Sequence, residues 1–92
     1  MTENVYRGLA TLIDRGFEIV VHADLATRRS PDGSQGWGGH LQADREEDFE
    51  LMAEVGAGRL RLPDGREADF DGAGNEIGSG GLLVSADGPA PF

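Results

Sequence analysis

The chain has 92 residues and a formal charge of −9, from 17 acidic and 8 basic side chains, and every basic residue is an arginine. That length makes one domain with a single core, burying about 60–70 % of the unfolded chain's surface and leaving little room for a deep enclosed site. Cysteine is absent, which excludes a disulfide framework, a thiolate metal site and a cysteine nucleophile. The acidic balance opposes generic affinity for nucleic acid or anionic lipid.

The opening Met1-Thr2-Glu3-Asn4 has no basic region leading into an apolar run, so a secretory leader is not expected. No apolar stretch approaches the about 18 residues that a membrane helix needs. With no cysteine, these features suit the cytoplasm. Tyr6 to Ile13 is predicted as a first strand, followed by Asp14-Arg15-Gly16 as a tight connection. Between Phe17 and Leu25 the chain alternates without a break. Phe17, Ile19, Val21, Ala23 and Leu25 share one parity, and Glu18, Val20, His22 and Asp24 the other. Period two over nine residues marks a strand with one buried and one wet face.

A polar loop follows, with Pro31 and an Asp32-Gly33 turn signal, and then a third strand from Gln35 to Ala43. The period then changes. Asp44 stands three residues before Glu47, the spacing of a capping box, and Phe49, Met52 and Val55 recur at helical intervals. One helix over Arg45 to Val55 is predicted, capped by Asp44. Arg59 to Leu62 returns to period two, Pro63-Asp64-Gly65 is a turn, and Arg66 to Asp71 pairs back as a second hairpin. Gly72 to Gly78 reads as a loop, Gly80 to Ala86 as a last strand, and residues 87–92 as a Pro/Gly C-terminal tail.

The order β-β-β-α-β-β-β predicts an α+β, mainly β fold over residues 1–86. It is a small six-stranded antiparallel curved sheet or partly open β-barrel with one short helix, since curvature removes unpaired edges. The expected core is Phe17, Ile19, Val21, Leu25, Leu41, Phe49, Met52, Leu60, Leu62 and Phe70, with Leu82 or Val84 from the last strand. Tyr6-Arg7-Gly8 leading into Ala10-Thr11-Leu12, then Trp37-Gly38-Gly39, Leu62-Pro63-Asp64-Gly65-Arg66-Glu67 and the ending Gly88-Pro89-Ala90-Pro91-Phe92 together resemble short proteins of unknown function common in actinobacteria and their phages. The resemblance covers most of the chain through turns and packing positions. It implies a small β-barrel and carries over no catalytic residue.

Candidate chemistry is sparse. If the second and third strands pair around a loop centred near Pro31, Leu25 faces Trp37 and His22 faces His40, close enough for two imidazoles to share a metal or a proton. Asp24 would be a third ligand; the alternative is that all three are solvated strand residues. Asp69 and Asp71, with Asn75 and Glu76, have the oxygen density of a calcium loop but neither EF-hand nor repeat spacing. Trp37 among Gly36, Gly38 and Gly39 reads either as an exposed platform for a ligand or as a core indole, and parity favours the core. Arg28-Arg29, Arg59, Arg61 and Arg66 form basic islands, with Arg59 and Arg61 placed to pair with Glu67 or Asp69 across their hairpin.

The expectation is a non-enzymatic binding module, taking a protein partner or forming a homo-oligomer, with no cofactor, no direct nucleic-acid contact and no membrane contact. Trp37, His22 and His40 are its candidate ligand-binding residues. One alternative is an acidic inhibitor that mimics nucleic acid. A second is a small metal- or ligand-dependent enzyme built on His22, His40 and Asp24.

Overall fold

The structure, a computed structural model, describes residues 4–76 and 80–92, and the side chains of all of these except 73–76. Six strands follow in chain order: β1 (Val5–Asp14), β2 (Phe17–Arg29), β3 (Gln35–Ala43), β4 (Ala57–Arg61), β5 (Glu67–Glu76) and β6 (Gly81–Asp87). Between β3 and β4 lie a 3-10 turn (Glu46–Asp48) and a helix, α1 (Phe49–Glu54). All pairings are antiparallel, in the order β1-β2-β3-β6-β5-β4, and β4 pairs back onto β1 to close a barrel. The closing seam is short, Thr11 to Ile13 against Arg59 to Arg61, and it pairs part of the edge that an open sheet would leave as a template for further strands.

The alternation of β2 becomes an inside and an outside. Ile19, Val21, Ala23 and Leu25 are buried, while Glu18, Val20, His22 and Asp24 are exposed. Leu12, Leu41, Leu60, Phe70, Leu82 and Val84 meet them in the interior. A six-stranded barrel is narrower than the eight-stranded size whose side chains just fill the interior, so this interior is a packed core. Phe17 and Phe49 are half-buried against its rim. Trp37, only 1 % exposed, is the largest fully buried side chain, so it is a core indole and not an exposed platform. Gly39 lies directly beneath the second strand: a Cβ there would come within 2.1 Å of the Asp24 carbonyl oxygen, at φ +149°. Only glycine permits that approach between β2 and β3.

The register of β2 against β3 differs from the expectation by two residues. Leu25 pairs with Gly39 and Thr27 with Trp37, while His22 faces Gln42 and Asp24 faces His40. The loop explains the shift. Gly33 N–H donates to the Ser30 carbonyl and Ser30 N–H to the Ser34 carbonyl, both at 2.9 Å. The turn is therefore built on Pro31 and Asp32 with Gly33 at φ +89°, and its centre is one residue beyond Pro31. Moving a hairpin centre by one residue moves every cross-strand partner by two.

The helical segment also differs. The predicted helix over Arg45 to Val55 is split into a 3-10 turn and six α-helical residues, and no side chain caps either piece. Asp44 is not a cap because its Oδ1 lies 2.6 Å from His22 Nε2 on β2. Met52 and Val55 are buried, and α1 packs on β6 and β5. An Arg15 N–H in the β1–β2 turn donates to the Glu54 carbonyl at 3.1 Å, which ties that turn to the helix end. The stretch expected as a loop from Gly72 is strand as far as Glu76, paired with β6 through a bulge between Gly72 and Gly74. Its glycines hide the period-two signal, and pairing with a neighbouring strand overrides their low propensity.

The opposite end of the barrel is closed by the C-terminal tail. Gly88 N–H donates to the Gln35 carbonyl at 2.8 Å, Pro91 is buried, and Phe92 packs against the core at this end. Its ring stands edge-on to Trp37 at 6.2 Å and tilted to Tyr6 at 6.3 Å between centroids. Such aromatic pairs add about 0.5–1.5 kcal/mol beyond the area they bury.

Candidate functional site at the mouth of the barrel

The predicted histidine site is not assembled. His22 is hydrogen-bonded to Asp44, and Asp24 accepts from Arg7 at 3.2 Å across the β1–β2 pairing. His40 lies across from Asp24, and His22 is its diagonal neighbour, at a spacing of about 7–8 Å between such positions. Among the described residues no group of three or more His, Asp or Glu side chains is placed to hold a metal ion. Asp69 is engaged with Arg59 Nε at 2.9 Å and Asp71 is exposed on β5. The Asn75 and Glu76 side chains of the calcium reading lie outside the described residues.

The arginines divide more informatively. Arg7, Arg15, Arg45, Arg59, Arg61 and Arg66 each lie within 3.4 Å of a carboxylate oxygen. The predicted cross-hairpin pairing holds, since Arg59 contacts both Glu67 and Asp69, and their hydrogen bonds raise its pKa. Arg28 and Arg29 alone have no carboxylate partner among the described residues. Arg28 instead crosses β3 at Gly36 and donates to the Ser85 hydroxyl. The nearby Asp32 is bound to the Ser34 amide and hydroxyl, which hold its pKa below the usual value.

Both arginines line one cleft of about 270 Å³, together with Asn4, Thr27, Gln35, Gly36 and the tail residues Gly88 to Ala90 and Phe92. Its rim is fixed on two sides. Thr27 N–H donates to the Asn4 carbonyl at 2.9 Å and Asn4 N–H to the Thr27 hydroxyl at 3.0 Å, while the Gly88–Gln35 hydrogen bond anchors the tail. Alternation places Arg28 on the outer parity of β2 and Arg29 on the inner one, beyond the last interior layer. Two arginines thus border the cleft, and Phe92 and Ala90 form its apolar side. Sequence reading singled out the Arg28-Arg29 pair but not the tail; the signal for the tail was Phe92, an aromatic residue closing a segment of prolines and glycine.

A second depression, shallow and open, lies on the outer face at Leu9, Val20 and Pro63. Leu9 and Val20 are 49 % and 44 % exposed, and singly exposed apolar side chains are common on protein surfaces. No described helix is long and apolar enough to cross a membrane. No family model matches the chain, and neither curated proteins nor solved structures gave a match.

Proposed function

We propose that this protein is a non-enzymatic binding module that recognises a protein partner through the mouth of its barrel. The observation that carries this reading is the pair Arg28 and Arg29. On a chain of charge −9, six of eight arginines face carboxylates, and the two with no such partner among the described residues line the same cleft. Cationic groups left without a carboxylate partner among the described residues, beside an apolar wall, suit recognition, because arginine and aromatic residues are the side chains that dominate interface energetics. A catalytic role draws less support, since His22 and Asp24 are each engaged by another side chain and the barrel interior is filled.

Photo-crosslinking in the native host tests the reading. A photoreactive residue placed at Gln35 should give a discrete adduct, and Arg28→Glu with Arg29→Glu should abolish it. The same residue at Glu67, on the far hairpin, should give none. An adduct that forms equally from Glu67, or that ignores the charge reversal, would overturn the assignment to the mouth.

A further inference from the structure

Resting on that reading, we infer that the occupant of the mouth is an acidic peptide segment, with a carboxylate held by Arg28 and Arg29 and an apolar side chain laid against Phe92. Size comes first. A cleft of about 270 Å³ is at or below the lower limit of pockets that enclose a drug-sized ligand, and it suits one or two side chains of a longer chain. Donor chemistry comes next. A guanidinium has five N–H donors in a planar fork that matches a carboxylate. Arg28 has one donation fixed on Ser85, which orients the group and leaves other donors for a ligand. Arg29 borders the same cleft from the opposite parity of β2 and has no hydrogen-bond or ion-pair partner among the described residues.

Charge then separates classes of anion. At physiological ionic strength fields are screened over about 8 Å, so an approaching ligand meets the whole acidic protein at long range and the arginine pair only at contact. A nucleic acid, with one charge per about 1.7 Å of duplex axis, carries many phosphates into that repulsive field. A peptide bearing one or two carboxylates carries little charge beyond what the pair compensates. The apolar wall adds a second requirement. Ala90, Pro89 and Phe92 lie beside the arginines, and Phe92 is held by Trp37 and Tyr6, so an aromatic or aliphatic residue next to the acid finds a fixed surface.

The test uses the full chain and fluorescence polarisation with three labelled probes. These are a Gly/Ser peptide containing Asp-Glu-Phe, its amide counterpart containing Asn-Gln-Phe, and a single-stranded oligonucleotide. Hydrogen bonds to charged groups contribute about 1.5–3 kcal/mol, so the acidic peptide should bind at least about tenfold more tightly than the amide one. That preference should vanish in the Arg28→Gln, Arg29→Gln variant, whose intact fold is checked by Trp37 fluorescence. Arg28→Lys, Arg29→Lys should retain part of it, and Phe92→Ala should weaken both peptides alike. Equal binding of the two peptides would overturn the acidic-segment inference, and so would tighter binding of the oligonucleotide. Either result leaves the mouth reading standing if the Gln35 adduct still depends on the arginines. Loss of that dependence would remove the mouth reading itself.

Discussion

Two hairpins of this barrel turn on the same five-residue device. Ser30-Pro31-Asp32-Gly33-Ser34 joins β2 to β3, and Leu62-Pro63-Asp64-Gly65-Arg66 joins β4 to β5. In each, the glycine N–H donates to the carbonyl of the first residue, at 2.9 Å in both, and the first N–H donates to the fifth carbonyl, at 2.9 and 2.8 Å. The aspartate accepts from the fifth N–H, at 2.9 and 3.0 Å. The glycines sit at φ +89° and +91°, a left-handed conformation that a side chain would strain. What surrounds these turns differs. Arg59, Arg61 and Arg66 of the second hairpin all face carboxylates. In the first, the turn aspartate engages a serine, Arg28 donates to Ser85, and neither Arg28 nor Arg29 has a carboxylate partner among the described residues. Equivalent backbone geometry thus supports a charge-compensated hairpin in one place and a cationic one in the other. The difference lies in which carboxylates the strands supply.

The sharpest break in this comparison is beneath the first hairpin. Trp37 lies buried on β3 beneath the mouth and contacts Phe92, and the second hairpin has no aromatic residue of that size. Trp37→Ala should lower stability by about 3–5 kcal/mol in urea denaturation followed by circular dichroism. The same variant should expose the tail to proteolysis, because Phe92 loses its edge-on partner. A change below about 1 kcal/mol would show that Trp37 does not hold the mouth together.

Much of this architecture was legible in the sequence, for a physical reason visible in β2. Alternation there runs uninterrupted from Phe17 to Leu25, and a strand buried on one face cannot hide such a pattern. The hairpin through Asp14-Arg15-Gly16 and the ion pairs of Arg59 were legible too, since they depend on local chemistry. Three features were not. The register of β3 depends on where a loop is centred, and the chain at Pro31 supplies two neighbouring choices. Asp44 has the spacing of a helix cap, but His22, 22 residues earlier, takes its carboxylate, a competition that only tertiary proximity creates. The mouth needs Asn4, Arg28, Gln35 and Phe92 together, four residues from distant parts of the chain that only barrel closure unites.

The two turn aspartates should respond alike. Asp32→Ala and Asp64→Ala each remove the acceptor of one backbone N–H, and each should lower the melting temperature by a similar amount. Their pKa values are both held below 3.8, first by the backbone hydrogen bond from the fifth residue and then by that residue's side chain. A carboxylate with a depressed folded-state pKa adds stability above the unfolded value, and that stability is lost as pH falls through the folded one. Thermal melts should therefore show both deficits undiminished at pH 7, and narrowing as pH falls below 3.8. A deficit for Asp32→Ala alone would show that the turns are alike in backbone but not in dependence on the acceptor.

The smallest expected effect contrasts the arginines themselves. Arg59 is held by Asp69 and Glu67 on the barrel's outer surface, where solvent screens the pairs strongly. Arg59→Gln should produce a slight fall in melting temperature at low ionic strength. The fall should disappear in 1 M salt, where screening acts over about 3 Å. Arg29→Gln removes no pair among the described residues, so its melting temperature should follow the parent chain at both salt concentrations while peptide binding falls. A salt-dependent stability loss for Arg29→Gln as large as that for Arg59→Gln would mean that Arg29 is compensated after all. The distinction between the two hairpins would then collapse.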